Sequence, residues 1–199
     1  MRIGYGWDSH KFKRGLPLKI GGVKLPHPSG LAGHSDGDIL LHALTDALLG
    51  AVAAGDIGSY FPPSDPKWKG ADSSLFVAEA LKQVQQRGFS IANVDSTLIL
   101  ATPQIGPHAS AIQQRVAELL GISVSAVGIK AKTPEGMGTP HAASAHVVVL
   151  LLKRAADFDA AMETATAIPQ PVIDRIVEKT LEGVPLAQPK PLAKPAHKR

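Results

Sequence analysis

Asp8, Ser9 and His10 sit at the end of a stretch, 2–7, that reads as a strand. On an extended chain, residues two apart share a face, so Asp8 and His10 offer a carboxylate and an imidazole to one divalent ion. His42 lies in a helical run, with Asp38 and Asp46 one turn away on either side. A carboxylate at that spacing suits the second ring N–H of a ligating histidine. Taken together, Asp8, His10 and His42 make a three-ligand N/O set with an open fourth position, the catalytic rather than the structural zinc pattern. The plainer alternative is a chance Asp-x-His and a buried His42 satisfied by Asp46. His34 and Ser35 precede the same helix, where free N–H groups and the dipole favour a phosphate. Asp56-Ile57-Gly58 and Lys132-Thr133-Pro134-Glu135 are polar groups at element ends. An acid beside phosphates commonly holds magnesium or manganese. The chain has no cysteine, and Ser35 next to His34 on a turn is not a triad, so no activated nucleophile is expected.

The elements that position these groups are readable. Leu18 to Leu25, with Gly21-Gly22 inside, predicts a hairpin or bulged strand. The run 35–38 supplies caps for a helix over 39–49, closed by Gly50. Its apolar positions surround the cylinder, which predicts a buried helix. The segment 55–70 reads as loop. A second helix runs from Asp72-Ser73 to Arg87, stopped by Gly88. Strands are expected at 94–100, 126–133 and 145–152. A third helix follows Pro107 and ends at Gly121. Alternating strands and helices over 150 residues predict one α/β domain.

Composition narrows the classes. The chain has 199 residues, 44% of them hydrophobic and 19% charged, which is globular. Its 21 Lys and Arg against 17 Asp and Glu give +4, but Lys190, Lys194, Lys198 and Arg199 fall in the last ten residues, where there is no acid. Without them the counts balance, so the folded body has no basic face for nucleic acid. No apolar run reaches the roughly 18 residues of a membrane span. The N-terminus carries no leader pattern, so a cytoplasmic protein is expected.

The motifs run together in order. They are Met1-Arg2-Ile3-Gly4 leading to Asp8-Ser9-His10, Gly33-His34-Ser35-Asp36-Gly37-Asp38, and Leu41-His42-Ala43-Leu44-Thr45-Asp46. Gly55-Asp56-Ile57-Gly58, Phe61-Pro62, Asp65-Pro66, Lys69-Gly70-Ala71-Asp72-Ser73, Asn93-Val94-Asp95, Pro103, Pro107-His108 and Thr133-x-Glu135 follow. Over 1–153 the chain resembles the 2-C-methyl-D-erythritol 2,4-cyclodiphosphate synthase family. The resemblance implies an α/β (α+β) single domain with a mixed sheet packed by helices on one face. It implies a homotrimer with the sheets around the threefold axis and active sites between subunits. The implied reaction converts 4-diphosphocytidyl-2-C-methyl-D-erythritol 2-phosphate to the 2,4-cyclodiphosphate and CMP, in non-mevalonate isoprenoid synthesis. By position, Asp8, His10 and His42 would hold Zn2+, and Glu135 would hold Mg2+ or Mn2+. His34 and Thr133 would act on the transition state. Substrate contacts would come from Asp8, Ser9, His10, His34, Ser35, Asp56, Ile57, Gly58, Phe61 and Asp65 on one side. Leu100, Ala101, Pro103, Ile105, Lys132, Thr133 and Glu135 would supply them on the cytosine side.

The chain also departs from the family. The stretch 138–146 is about three residues shorter than the usual glycine-rich one and has no secure counterpart of the phenylalanine and arginine that line the trimer's central cavity. Lys132, Gln104 and Pro63 replace a common threonine, lysine and aspartate. His141 and His146, five apart, fit no shared helix face, and His146 is expected in the last strand. The resemblance stops at 153. Residues 154–183 could add helices, with 172–181 amphipathic, and 184–199 is a Pro/Lys/Ala-rich tail expected to be mobile. A solvated appendage is expected there, with docking of a pathway partner as the alternative. Two other readings use the same residues: a zinc hydrolase giving a linear product, and a trimeric binding module that no longer turns over.

Overall fold

Two glycines in the first strand set how close the first helix comes. In the computed structural model, which describes residues 1–136 and 141–154, β1 (Arg2–Arg14) runs beneath α1 (Ile39–Ala51). A Cβ on Gly4 would lie 1.9 Å from the Ala47 carbonyl oxygen, and one on Gly6 1.9 Å from that of Ala43. The helix therefore rests directly on the strand backbone, and this approach brings His42 down to Asp8 and His10. Gly6→Val should cost about 3 kcal/mol or more by overpacking. The expected readout is a fall of about 10 °C in the unfolding midpoint; an unchanged midpoint would contradict the close packing.

The remaining elements build one sheet and its cover. The hairpin β2 (Leu18–Ile20) and β3 (Val23–Leu25) turns at Gly21 and Gly22, whose φ of 62° and 76° suit glycine. A short strand β4 (Ser29–Leu31) follows, and a single-turn helix α2 (Ile57–Tyr60) interrupts the expected loop. Helix α3 (Ser74–Gln86), strand β5 (Phe89–Ile99), helix α4 (Ala109–Leu120), strand β6 (Val127–Lys132) and strand β7 (Ala142–Lys153) complete the order. Gly88 and Gly121, both at positive φ, stand where the sequence predicted the two helix stops. Gly50 does not end α1, which runs on to Ala51.

The main sheet has the order β4-β1-β7-β5-β6. Only β5 and β6 pair in parallel; the other neighbours are antiparallel, so the sheet is mixed, as expected. Even residues of β1 from Gly4, even residues of β5 from Val94, past the bulge at Ile91–Asn93, and odd residues of β7 turn toward the helices. Val94, Leu98, Ala145, Val147, Val149 and Leu151 are buried there with Leu40, Leu44, Leu48, Val77 and Val116. The opposite face leaves Ile3, Tyr5, Trp7 and Val148 from 43% to 71% exposed, a run of apolar side chains that isolated surface residues do not explain. His146 lies in β7, as expected, and meets the Tyr5 hydroxyl at 2.9 Å through its Nδ1.

Among the described residues no helix is long and apolar enough to cross a membrane. The expected helices within 154–183, apart from Arg154, the tail at 184–199 and residues 137–140, which include the first three of the shortened 138–146 stretch, lie outside the described residues.

Candidate metal centre and active-site cavity

Asp8 and His10 stand on the helix side of β1, and Ser9 between them faces the other way. The backbone still ties the three together: Ser9 N–H donates to Asp8 Oδ1 at 2.7 Å, and the Ser9 carbonyl accepts from His10 Nδ1 at 2.9 Å. That carbonyl can only accept, so Nδ1 carries the His10 proton and Nε2 presents a lone pair. His10 Nε2 lies 3.3 Å from Asp8 Oδ2 and 3.2 Å from His42 Nδ1. His42 Nδ1 is 2.9 Å from Asp8 Oδ2.

Zinc bonds of about 2.0 Å in tetrahedral geometry separate ligand atoms by about 3.3 Å. The three observed separations, 2.9, 3.2 and 3.3 Å, already match the face of such a tetrahedron. Burial pushes the Asp8 carboxyl up, but the His42 hydrogen bond and the two imidazoles outweigh it and hold Asp8 below the usual range. Burial pushes His10 down, against the pull of Asp8, which favours the neutral ring that a metal needs. The donor set fits zinc.

His42 is fixed differently from the sequence expectation. Neither Asp38 nor Asp46 holds its second nitrogen. Asp38 is fully buried and caps α1, accepting from the N–H groups of Leu41 at 3.1 Å, Gly21 at 2.9 Å and Gly22 at 2.6 Å. Of the helix's leading N–H groups it takes that of Leu41, and its other two bonds come from the hairpin turn. Asp46 accepts the Ile57 N–H at 2.7 Å and so draws α2 toward the site; burial raises its pKa. The partners of His42 Nε2 are the hydroxyls of Ser35 and Ser73, at 2.8 and 2.9 Å.

Around this centre lies a cavity of about 290 Å³. Asp8, His10, His34, Ser35, Ile57, Gly58 and Phe61 line it, as the sequence predicted for one side of the substrate. Trp68 and Phe76, which sequence reasoning missed, line it too. Phe61 packs on Phe76 at 4.4 Å and edge-on to Trp68 at 4.8 Å, giving an aromatic wall. The Trp68 indole nitrogen is buried without a hydrogen-bond partner. Asp56 and Asp65 do not line the cavity. Asp56 caps α2 through Ser59, and Asp65 caps the turn at Pro66–Trp68 and pairs with Lys67 at 3.0 Å.

The second predicted group lies elsewhere. The register carries Asp8 to Ala145, Ala145 to Leu98 and Leu98 to Ala131. Three strand spacings of about 4.8 Å put the ends of that line about 14 Å apart. Thr133 and Glu135, just past β6, therefore belong to the far edge of the sheet from Asp8. There the Thr133 hydroxyl donates to the Glu135 carboxylate, and both residues are exposed, as are Lys132 and Ala101. Leu100 and Ile105 are buried at 4% and 3% exposure. Their side chains belong to the core, leaving only their backbone for a ligand, while Pro103 stays partly exposed.

Lys19 spans the turns below His42, reaching Asp36 Oδ2 at 3.1 Å and Asp72 Oδ2 at 3.0 Å. Hydrogen bonding from Ser74, then from Lys19, lowers the Asp72 pKa to about 2. An unfolded aspartate titrates near about 3.9. The stability Asp72 contributes is thus complete above about pH 4 and is lost as pH falls toward 2. Asp72→Asn should flatten the stability curve in that window and leave it unchanged in shape above pH 5. An acid limb identical to the wild type would refute this.

The YgbB family model matches residues 1–152. A 2-C-methyl-D-erythritol 2,4-cyclodiphosphate synthase from Koribacter versatilis (strain Ellin345) is 63% identical over 154 residues, covering 77% of this chain and 99% of the relative. A CDP-bound structure of 2C-methyl-D-erythritol-2,4-cyclodiphosphate synthase superposes with a TM-score of 0.72 at 43% identity, over 76% of this chain and all of the other. IspF from Plasmodium falciparum, in complex with CDP, gives 0.68 at 32% identity, over 76% of this chain and 96% of the other.

Proposed function

This chain belongs to the YgbB family of 2-C-methyl-D-erythritol 2,4-cyclodiphosphate synthases, and from that premise we propose how its own residues close the ring. The substrate is 4-diphosphocytidyl-2-C-methyl-D-erythritol 2-phosphate. An oxygen of the 2-phosphate forms a bond to the β-phosphorus. The bond from that phosphorus to the oxygen bridging to the α-phosphate breaks, and CMP leaves with the electron pair. The products are the 2,4-cyclodiphosphate and CMP, a step of isoprenoid synthesis.

The observation that carries the reading is the convergence of Asp8 Oδ2, His10 Nε2 and His42 Nδ1 inside an aromatic-walled cavity. Asp8, His10 and His42 would hold zinc and Glu135 would hold magnesium or manganese, and these ions would supply positive charge to offset the repulsion between the two phosphates. His34, on the cavity rim, directs a ring N–H to a phosphate oxygen. Ile57, Gly58 and Phe61 receive the methylerythritol end. Phe61, Trp68 and Phe76 keep water from the β-phosphorus, so the tethered phosphate attacks instead. Lys132, Thr133 and the 100–105 loop receive the cytidine side.

Thr133 and Glu135 reach this cavity from a neighbouring copy, since their own cavity lies across the sheet. A homotrimer with the Ile3, Tyr5 and Trp7 face turned to the threefold axis buries the exposed apolar side chains and joins the two half-sites. The ion assignment is tested by stripping the protein with a chelator and restoring ions separately. Full turnover should need zinc together with magnesium or manganese. Recovery with magnesium alone would refute the zinc assignment.

A further inference from the structure

His42 Nδ1 meets Asp8 Oδ2 at 2.9 Å, but once Nδ1 lends its lone pair to a metal the ring proton must sit on Nε2, and the partners of Nε2 decide how well it is held there. Ser73 is fully buried, and its hydroxyl lies 2.5 Å from Asp36 Oδ1, a charge-assisted contact. A serine hydroxyl has one proton to give. With that proton committed to Asp36, Ser73 Oγ can only accept at its other contact, His42 Nε2 at 2.9 Å. Asp36 is held in turn by Lys19 at 3.1 Å and by the N–H groups of Ser73 and Asp38, both at 3.3 Å. Ser35 also meets Nε2, at 2.8 Å, and is 3.5 Å from the Ser73 hydroxyl.

We propose that Ser73 and Asp36, backed by Lys19, are positioning residues that hold metal-bound His42 as its Nε2–H tautomer, with the Nδ1 lone pair aimed at the ion position shared with Asp8 and His10. The proposal rests on the zinc reading given above. An outer partner of this kind usually tunes metal affinity 10- to 100-fold. Its members act as one unit, because Ser73 has a fixed role only while Asp36 takes its proton. Ser35, with no anion beyond it among the described residues, contributes less.

The test is zinc affinity of the full-length protein, measured by competition with a fluorescent chelator. Ser73→Ala and Asp36→Asn should each weaken zinc by about 10- to 100-fold. The double variant should be no weaker than the worse single one, since both cut the same relay. In zinc-loaded protein, ¹⁵N-edited NMR should find the His42 proton on Nε2, and its downfield signal should move upfield in Asp36→Asn. A merely structural role would give multiplying losses and an unmoved signal, and either would overturn the relay. Single variants that bind zinc as tightly as the wild type would also overturn it, as would a His42 Nε2 that bears no proton. If Asp36→Asn does not fold, Lys19→Met replaces it in the same cycle. A wild-type protein that binds no zinc would sink the metal site itself, and the relay with it.

Discussion

Replacing His42 by alanine should empty the zinc site and lower turnover by about a thousandfold or more, equal to about 4 kcal/mol of transition-state stabilisation. In the proposed zinc site the imidazole is one of three protein ligands among the described residues, and Asp8 and His10 cannot complete the set alone. The fold should survive. His42 is the fourth residue of α1, alanine is the best helix former, and the buried leucines on either side stay in place. Metal content per subunit, turnover and helical circular dichroism would be read from one preparation. A metal-free variant that keeps both its helix signal and its turnover would refute the role given to zinc. A variant that loses its fold moves the test to Asp8→Asn, which keeps the shape of the side chain and removes its charge.

The second large effect concerns which chain completes the site. A His42→Ala chain lacks the metal half-site, and a Thr133→Ala/Glu135→Gln chain lacks the other half. Each alone should be nearly inactive. Co-expressed in equal amounts, they should regain about a quarter of wild-type turnover. Random assembly makes roughly three trimers in four mixed, and each mixed trimer pairs one intact half with the other at roughly one interface in three. No regain from a verified mixed trimer would place both halves within one chain. That outcome contradicts the sheet register, which separates Asp8 from Ala131 by three strand spacings.

Much of the metal centre was legible before the fold was known. Asp8 and His10 have the two-residue spacing of one strand face, and His42 sits behind a capping aspartate on an apolar helix; both signals are local. The helix ends at Gly88 and Gly121 were local too, since a positive φ there suits glycine. What failed was longer in range. Strand β1 extends to Arg14 because β4 pairs with Phe12, Lys13 and Arg14, and the charged run Lys11 to Arg14 gave no hint of it. Asp38 and Asp46 had the right helical spacing for His42, yet the Gly21-Gly22 turn and Ile57 take them instead. Of the two hydroxyls that do meet His42 Nε2, that of Ser73 comes from 31 residues away. No motif or spacing marked Trp68 and Phe76, and only the fold turns them toward the cavity. The separation of Thr133 and Glu135 from the zinc ligands follows from strand order, which no motif encodes.

The central claim is that a tethered phosphate, not water, attacks the β-phosphorus in this cavity. Phosphorus NMR of the full-length protein with 4-diphosphocytidyl-2-C-methyl-D-erythritol 2-phosphate, zinc and magnesium tests it directly. The expected spectrum shows the cyclic diphosphate appearing with CMP in equal amounts, with neither formed by His42→Ala. A linear phosphate product would make the protein a zinc hydrolase. Unchanged substrate bound to a folded, metal-loaded trimer would make it a binding protein. Either result would contradict ring closure.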